Sequence, residues 1–183
     1  MPHITRTELD ALMPDILAAP KDGAAVSLLC SRPARNQRAF PDQLEFTKAQ
    51  GIPGERWATQ PWLKLPDGSP DPQIQVCILS TRVLDAVWRD RDTVAHPGDT
   101  FCLDMDLGYD NLPVGQLLAV GEVVLRVSEE FNTACSKWKV RFGRESFDWI
   151  NDPDNKPYRL RGILCSIEQD GFISNGDIVR KIS

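Results

Sequence analysis

Cys135 lies in the stretch Asn132 to Gly143, read N-T-A-C-S-K-W-K-V-R-F-G, between small polar residues and just before Lys137, Lys139 and Arg141. Positive charge beside a thiol favours the thiolate, the form that attacks electrophiles and ligates metals. Cys30, Cys77, Cys102 and Cys165 have apolar sequence surroundings, where a cysteine behaves as a small hydrophobe. Cys135 therefore reads as the residue placed for chemistry, with a packed core thiol as its alternative.

A second group of residues has the character of an anion site. Arg32, Arg35 and Arg38 fall in one stretch without acids, and Lys137, Lys139, Arg141 and Arg144 in another, within a chain of net charge −5. Two cationic segments in an acidic protein point to a small anionic ligand such as a phosphate ester. Either segment alone would read as a solvated basic loop. Asn132 and Thr133 either hydrogen-bond a ligand or shape the loop before the cysteine. Glu55 and Asp99 either orient site residues or cap turns. His96 precedes a proline and shows no partner in the sequence.

Composition limits the function classes. The chain has 183 residues, 42% hydrophobic and 26% charged, which suits one soluble domain with a sizeable core. No run approaches the roughly 18 apolar residues of a membrane span. No basic start precedes an apolar stretch at the N-terminus, so the expectation is a cytoplasmic protein. The acidic balance argues against nucleic-acid binding. Five widely separated cysteines and two histidines give neither a zinc cluster nor a disulfide framework.

The elements that must hold these residues follow from periodicity and punctuation. Leu9, Leu12, Met13, Ile16 and Leu17 form one face of a helix over residues 5–18, with Thr5 and Glu8 as a capping box. Strands are expected over 24–30, 44–47 and 74–79. Ser80 starts a helix over 81–90. Phe101, Leu103 and Met105 alternate as in a half-buried strand. Strands at 117–120 and 123–127 precede the cysteine segment, and a short helix at 145–150 follows it. The last strands, 160–168 and 172–182, read as a hairpin across Asp170-Gly171. Short strands with Gly/Pro punctuation and no βαβ alternation predict a mostly β barrel with a few short helices. The tryptophans are expected in the core or at its rim.

Several pieces in order resemble the MOSC domain, named for the C-terminal domain of molybdenum-cofactor sulfurases. They are Arg32-Pro33, Gly51-Ile52-Pro53-Gly54-Glu55-Arg56-Trp57, Pro97-Gly98-Asp99, Leu112 to Gly121, the Cys135 segment with Lys137-Trp138 and Arg141-Phe142-Gly143, Arg159 to Ile163, and Gly171 to Val179. The resemblance divides the chain into an N-terminal helical extension, 1–23, and a MOSC domain, 24–183. Members often carry aspartate where this chain has Glu55, and often Gly, His or Pro just before the cysteine, where it has Asn132-Thr133-Ala134.

The resemblance implies a MOSC-type β-barrel that handles molybdenum cofactor (molybdopterin) or its sulfur, with Cys135 at the barrel's mouth. In one reading Cys135 ligates molybdenum, as in MOSC proteins related to amidoxime and hydroxylaminopurine reductases. Arg32, Arg35, Arg38, Lys137 and Arg141 then hold the cofactor's phosphate while a small N-hydroxylated substrate is reduced. In the other, Cys135 carries a persulfide as a sulfur carrier. The chain is too short for the pyridoxal-phosphate domain of full-length sulfurases and shows no electron-transfer domain. Each reading thus requires an outside protein, an electron donor or a cysteine desulfurase. A third reading is a non-catalytic barrel that binds an anionic ligand.

Overall fold

A computed structural model describes residues 2–183 of the chain. The first helix, α1 (Arg6–Leu17), begins where the capping box places it: the Thr5 hydroxyl accepts from the Glu8 amide, and Glu8 accepts from the Thr5 amide at 2.8 Å. Strands β1 (Val26–Leu29), β2 (Gln43–Phe46) and β3 (Val76–Ser80) follow, then α2 (Thr81–Val87) and β4 (Phe101–Leu103). Next come β5 (Leu117–Val120), β6 (Val123–Val127), α3 (Ser136–Phe142) and α4 (Arg144–Ile150). Strands β7 (Ile163–Gln169), β8 (Gly171–Ser174) and β9 (Arg180–Ile182) complete the chain.

Seven strands pair in the order β1-β4-β3-β7-β6-β5-β9, and β2 pairs with β8 apart from them. The mixed sheet curls into a half-barrel. Its two ends approach at a bridge between Ala25 and Ile178, where the Val26 amide donates to Asp177 and the Val179 amide to Ala24. The mostly β, barrel-like expectation holds in this form. Several local expectations do not, and the single strand expected over 172–182 is two, β8 and β9. Strands β3 and β4 are parallel and joined through α2, so one βαβ crossover is present. The Asp170-Gly171 turn does not close a hairpin, because β8 leaves β7 and pairs with β2 from Gly171↔Phe46 to Ser174↔Gln43.

The sheet buries both faces. Val26, Val76, Ile78, Phe101, Leu103, Leu125 and Ile163 fill the inside of the curl. On the outer face, Leu79 and Cys102 pack under a helical layer with Leu9, Val83, Trp138, Phe142 and Trp149. Alternation along a strand produces this division. It also explains why β4 is buried at all three residues instead of half-buried. The helices do not cover the whole outer face. At Cys77 and Leu164, on the paired strands β3 and β7, only a small cluster with Ile74 lies over the sheet. Among the described residues no helix is long and apolar enough to cross a membrane.

Candidate functional site

The uncovered part of the outer face is the floor of a cavity of about 660 Å³. Cys77 and Leu164 form the floor, α3 and the loop before it form one wall, and segments around residues 32–38 and 56–62 form the others. The site is therefore on the sheet's outer face, and the barrel's interior is packed with hydrocarbon. That places it differently from the barrel mouth the resemblance implied.

Cys135 opens on this cavity and is the exposed member of five free cysteines. It sits just before α3 with extended backbone, and its sulfur caps nothing. The helix was not legible as such, although Trp138 and Phe142 are both buried at the i, i+4 spacing of one face. The same geometry sorts the cations. Lys137 and Arg141 are also i, i+4 and both line the cavity, whereas Lys139 lies over the Phe147 ring and Arg144 pairs with Asp148.

The arginine segment divides for a similar reason. Ser31 and Ala39 exchange backbone hydrogen bonds at 2.9 and 3.0 Å, so Arg32 and Arg38 flank the base of a loop and both face the cavity. Arg35 is exposed near the loop's tip and lines a separate, shallower hollow. The structure does not bring it to Cys135. Arg32 is held by Glu55, which accepts from its amide at 2.7 Å and from its guanidinium at 2.7 and 3.0 Å. Arg38 donates to the carbonyls of Gln37, His96 and Pro97, and Arg141 also donates to Pro97. Burial lowers the Arg38 pKa, and the neighbouring Arg141 charge lowers it further. Neither arginine has a carboxylate partner among the described residues.

Asn132 points inward. Its amide nitrogen donates to the Cys77 sulfur at 3.2 Å and to the Arg161 carbonyl at 3.1 Å. Thr133 is exposed on the cavity rim. Ala134 exchanges hydrogen bonds with the Asn151 side chain, which anchors the loop directly before Cys135. Glu55 and Asp99 both orient arginines of the site instead of capping turns.

Three site residues escaped sequence reasoning. Arg56 and Arg161 line the cavity, and Arg161 pairs with the fully buried Asp99 at 2.5 Å. Cys77 has polar partners after all, since its sulfur lies 2.8 Å from Asp99. Burial, followed by the Asp99 charge, pushes the Cys77 thiol well up, so it is the donor to that carboxylate. Burial also opposes ionisation of Asp99, but Arg161 and Cys77 outweigh it and hold the carboxyl below its usual range. The Pro97-Gly98-Asp99 motif was a signal for Asp99. Nothing local flagged Cys77.

The cavity is thus lined by Arg32, Arg38, Arg56, Lys137, Arg141 and Arg161, with Glu130 as the acidic side chain among its lining residues. Trp57, Trp62 and Phe131 supply an aromatic side, with Trp62 at the rim 68% exposed. His96 lies below, buried, with its Nδ1 accepting from the Gly98 amide at 3.1 Å and its ring edge-on to Phe40 and Trp88.

No family model matches the sequence, and no curated relative does either. Solved structures do share its fold. YuaD from Bacillus subtilis superposes with a TM-score of 0.59 at 18% identity, over 87% of this chain and 97% of that one. YiiM from Escherichia coli gives 0.58 at 17% identity, over 88% of this chain and 70% of that one. The crystal structure of a hypothetical protein gives 0.62 at 18% identity, with coverages of 89% and 70%. At such identities the likeness establishes a common fold.

Proposed function

We propose that this is a MOSC-type protein whose Cys135 cavity binds molybdenum cofactor, with Cys135 as the metal's protein ligand, and that it reduces small N-hydroxylated compounds. The YiiM-like fold supports the MOSC-type reading, as do the ordered motifs around Cys135. One observation carries the functional step: the exposed thiol opens on a cavity lined by six cations and one carboxylate, in a chain of net charge −5.

The residues fit the cofactor. The cavity volume suits a small organic ligand. A thiolate is a soft donor matched to a sulfur-coordinated metal. Arg38, Lys137 and Arg141 offer charge-assisted hydrogen bonds to a phosphate, and Glu55 fixes Arg32 for the same task. When bound, the cofactor supplies a metal that takes up two electrons and removes an oxygen from the substrate. The chain itself contributes orientation: Asn132 and Asn151 hold the loop that presents Cys135, and the aromatic side gives a substrate an apolar surface. An external protein supplies the electrons.

A second reading is favoured by the exposure of Cys135 and the absence of any hydrogen bond to its sulfur among the described residues. Such a sulfur is reachable by another protein. Its thiolate can attack the outer sulfur of a desulfurase persulfide, take that sulfur, and release the desulfurase thiolate.

Protein made in a cofactor-producing host is expected to hold about one molybdenum per chain, lost in Cys135→Ala. Elemental analysis finding no metal in either protein would remove the cofactor reading. Incubation with a cysteine desulfurase should, on the carrier reading, add one sulfur mass at Cys135. Intact mass unchanged in the wild type rejects that alternative.

A further inference from the structure

Arg161 is the cavity cation tied most directly to the cysteine loop, through the Asn132 side chain. Its guanidinium makes one hydrogen bond, from Nη1 to Asp99 Oδ1 at 2.5 Å, and lies 4.8 Å from the centre of the Trp138 ring. An arginine carries five N–H donors. Those not used on Asp99 have no protein acceptor among the described residues, although the side chain is only 14% exposed and lines the cavity. None of its unpaired nitrogens is sealed away from solvent, so the unused donors open on the cavity, where a ligand can supply the acceptor.

The backbone around it is built to the same end. Arg159, two residues earlier, is buried in a left-handed conformation at φ 47°. Hydrogen bonds to the Leu107 and Leu112 carbonyls and stacking on Tyr109 keep it there. Gly162 follows at φ 85°, where a Cβ would lie 2.0 Å from the Ile78 carbonyl oxygen. A left-handed arginine before it and a position that only glycine fits after it fix the course of the chain through Arg161. Asn132 then ties the Arg161 carbonyl to the loop that leads into Cys135. Burial works against the Arg161 cation, and Asp99 more than restores it, with Cys77 and Cys135 among the lesser groups that do so.

We infer that Arg161 is a ligand-binding residue, which donates hydrogen bonds to an anionic group held beside the Cys135 sulfur, and that Asp99 with Cys77 positions it from behind. This rests on the reading of Cys135 as the functional thiol, and it names the residue that receives the ligand's charge. The ligand class is an oxygen or sulfur anion carried next to that sulfur, common to the cofactor and persulfide readings. Lys137 and Arg141 belong to the cavity wall on α3, and Arg161 lines the same cavity from the turn before β7.

The test compares alkylation of Cys135 by iodoacetate, which is anionic, and iodoacetamide, which is neutral, on the full metal-free chain by peptide mass spectrometry. The ratio of the two rates reports how well the site receives an anion beside the sulfur, and cancels the thiol's intrinsic reactivity. The wild-type ratio should exceed that of a small free thiol. The double variant Asp99→Asn with Arg161→Gln removes the buried pair without changing net charge, and Arg161→Lys keeps the charge but loses the fork. Both should lower the ratio, the double variant by about tenfold. A wild-type ratio in either variant, with its thermal unfolding also unchanged, overturns the inference. Because no metal or sulfur donor is involved, the result is independent of the molybdenum and desulfurase measurements. A lowered ratio in a protein that takes up neither metal nor sulfur would retain Arg161 as an anion site and reject the proposed function.

Discussion

Burial pushes the Cys30 thiol up to about 11 and the Cys165 thiol up to about 12, and it raises Cys77 and Cys102 well above the usual thiol range. These four stay protonated and buried at neutral pH, Cys77 at the cavity floor, which leaves Cys135 as the exposed sulfur. Native titration with an aromatic disulfide is expected to release about one equivalent from the wild type and none from Cys135→Ser. The buried His96 adds a pH dependence of stability. Burial is the main cause that lowers its pKa from about 6.5 to about 4, with Arg38, Arg161 and Arg141 acting in the same direction and Asp99 against it. The unfolded chain therefore binds the proton first. Stability is full above pH 6.5 and falls as the pH drops towards 4, by about 3 kcal/mol from this group. Denaturant unfolding at stepped pH should show that loss, and His96→Gln should lack it; equal slopes in both proteins would remove His96 as the cause. At this scale the sequence marked Cys135, Arg32, Arg38, Lys137 and Arg141 through local charge and local order. It could not mark Arg161 or Cys77, whose role depends on strands that meet only in the folded sheet. Arg35 and Lys139 looked equivalent to their neighbours until loop and helix geometry turned them away.

At the level of elements, local chemistry settled boundaries and tertiary pairing settled partners. The Thr5–Glu8 capping box and the Leu9 face were readable because helix caps and 3.6-residue periodicity are local. The partner of β8 was not, since the choice between β7 and β2 is made by packing. α3 was missed because its alternation of polar and apolar residues also suits a strand. Ser80 shows how a correct position can lack its usual bond. It precedes α2 as expected, yet its hydroxyl makes no cap and is buried without a partner. Ser80→Ala is therefore expected to cost less than the roughly 1 kcal/mol of an ordinary N-cap loss. Gly162→Ala should cost at least about 3 kcal/mol, since the added methyl meets the Ile78 carbonyl at a positive φ. Thermal unfolding of both variants measures these effects, and a larger loss in Ser80→Ala than in Gly162→Ala would refute this view of the two sites.

Across the whole molecule, the curled sheet separates two tasks. Its inner face supplies the large apolar core, and its outer face is shared between helices and the cavity. A protein of net charge −5 thereby concentrates cations in one hollow, where low-dielectric walls strengthen their field. The barrel-like architecture was legible from short strands and turn residues, but the face that carries the site was not, because that depends on which part of the sheet the helices leave open. The thiol itself gives the sharpest test. Protein isolated with molybdenum and the same protein stripped of it can be treated with iodoacetamide, and modification of the Cys135 peptide followed with time. Metal ligation should slow that modification by about tenfold or more relative to the stripped protein. Equal rates in the loaded and stripped proteins would show that Cys135 is not the metal's ligand.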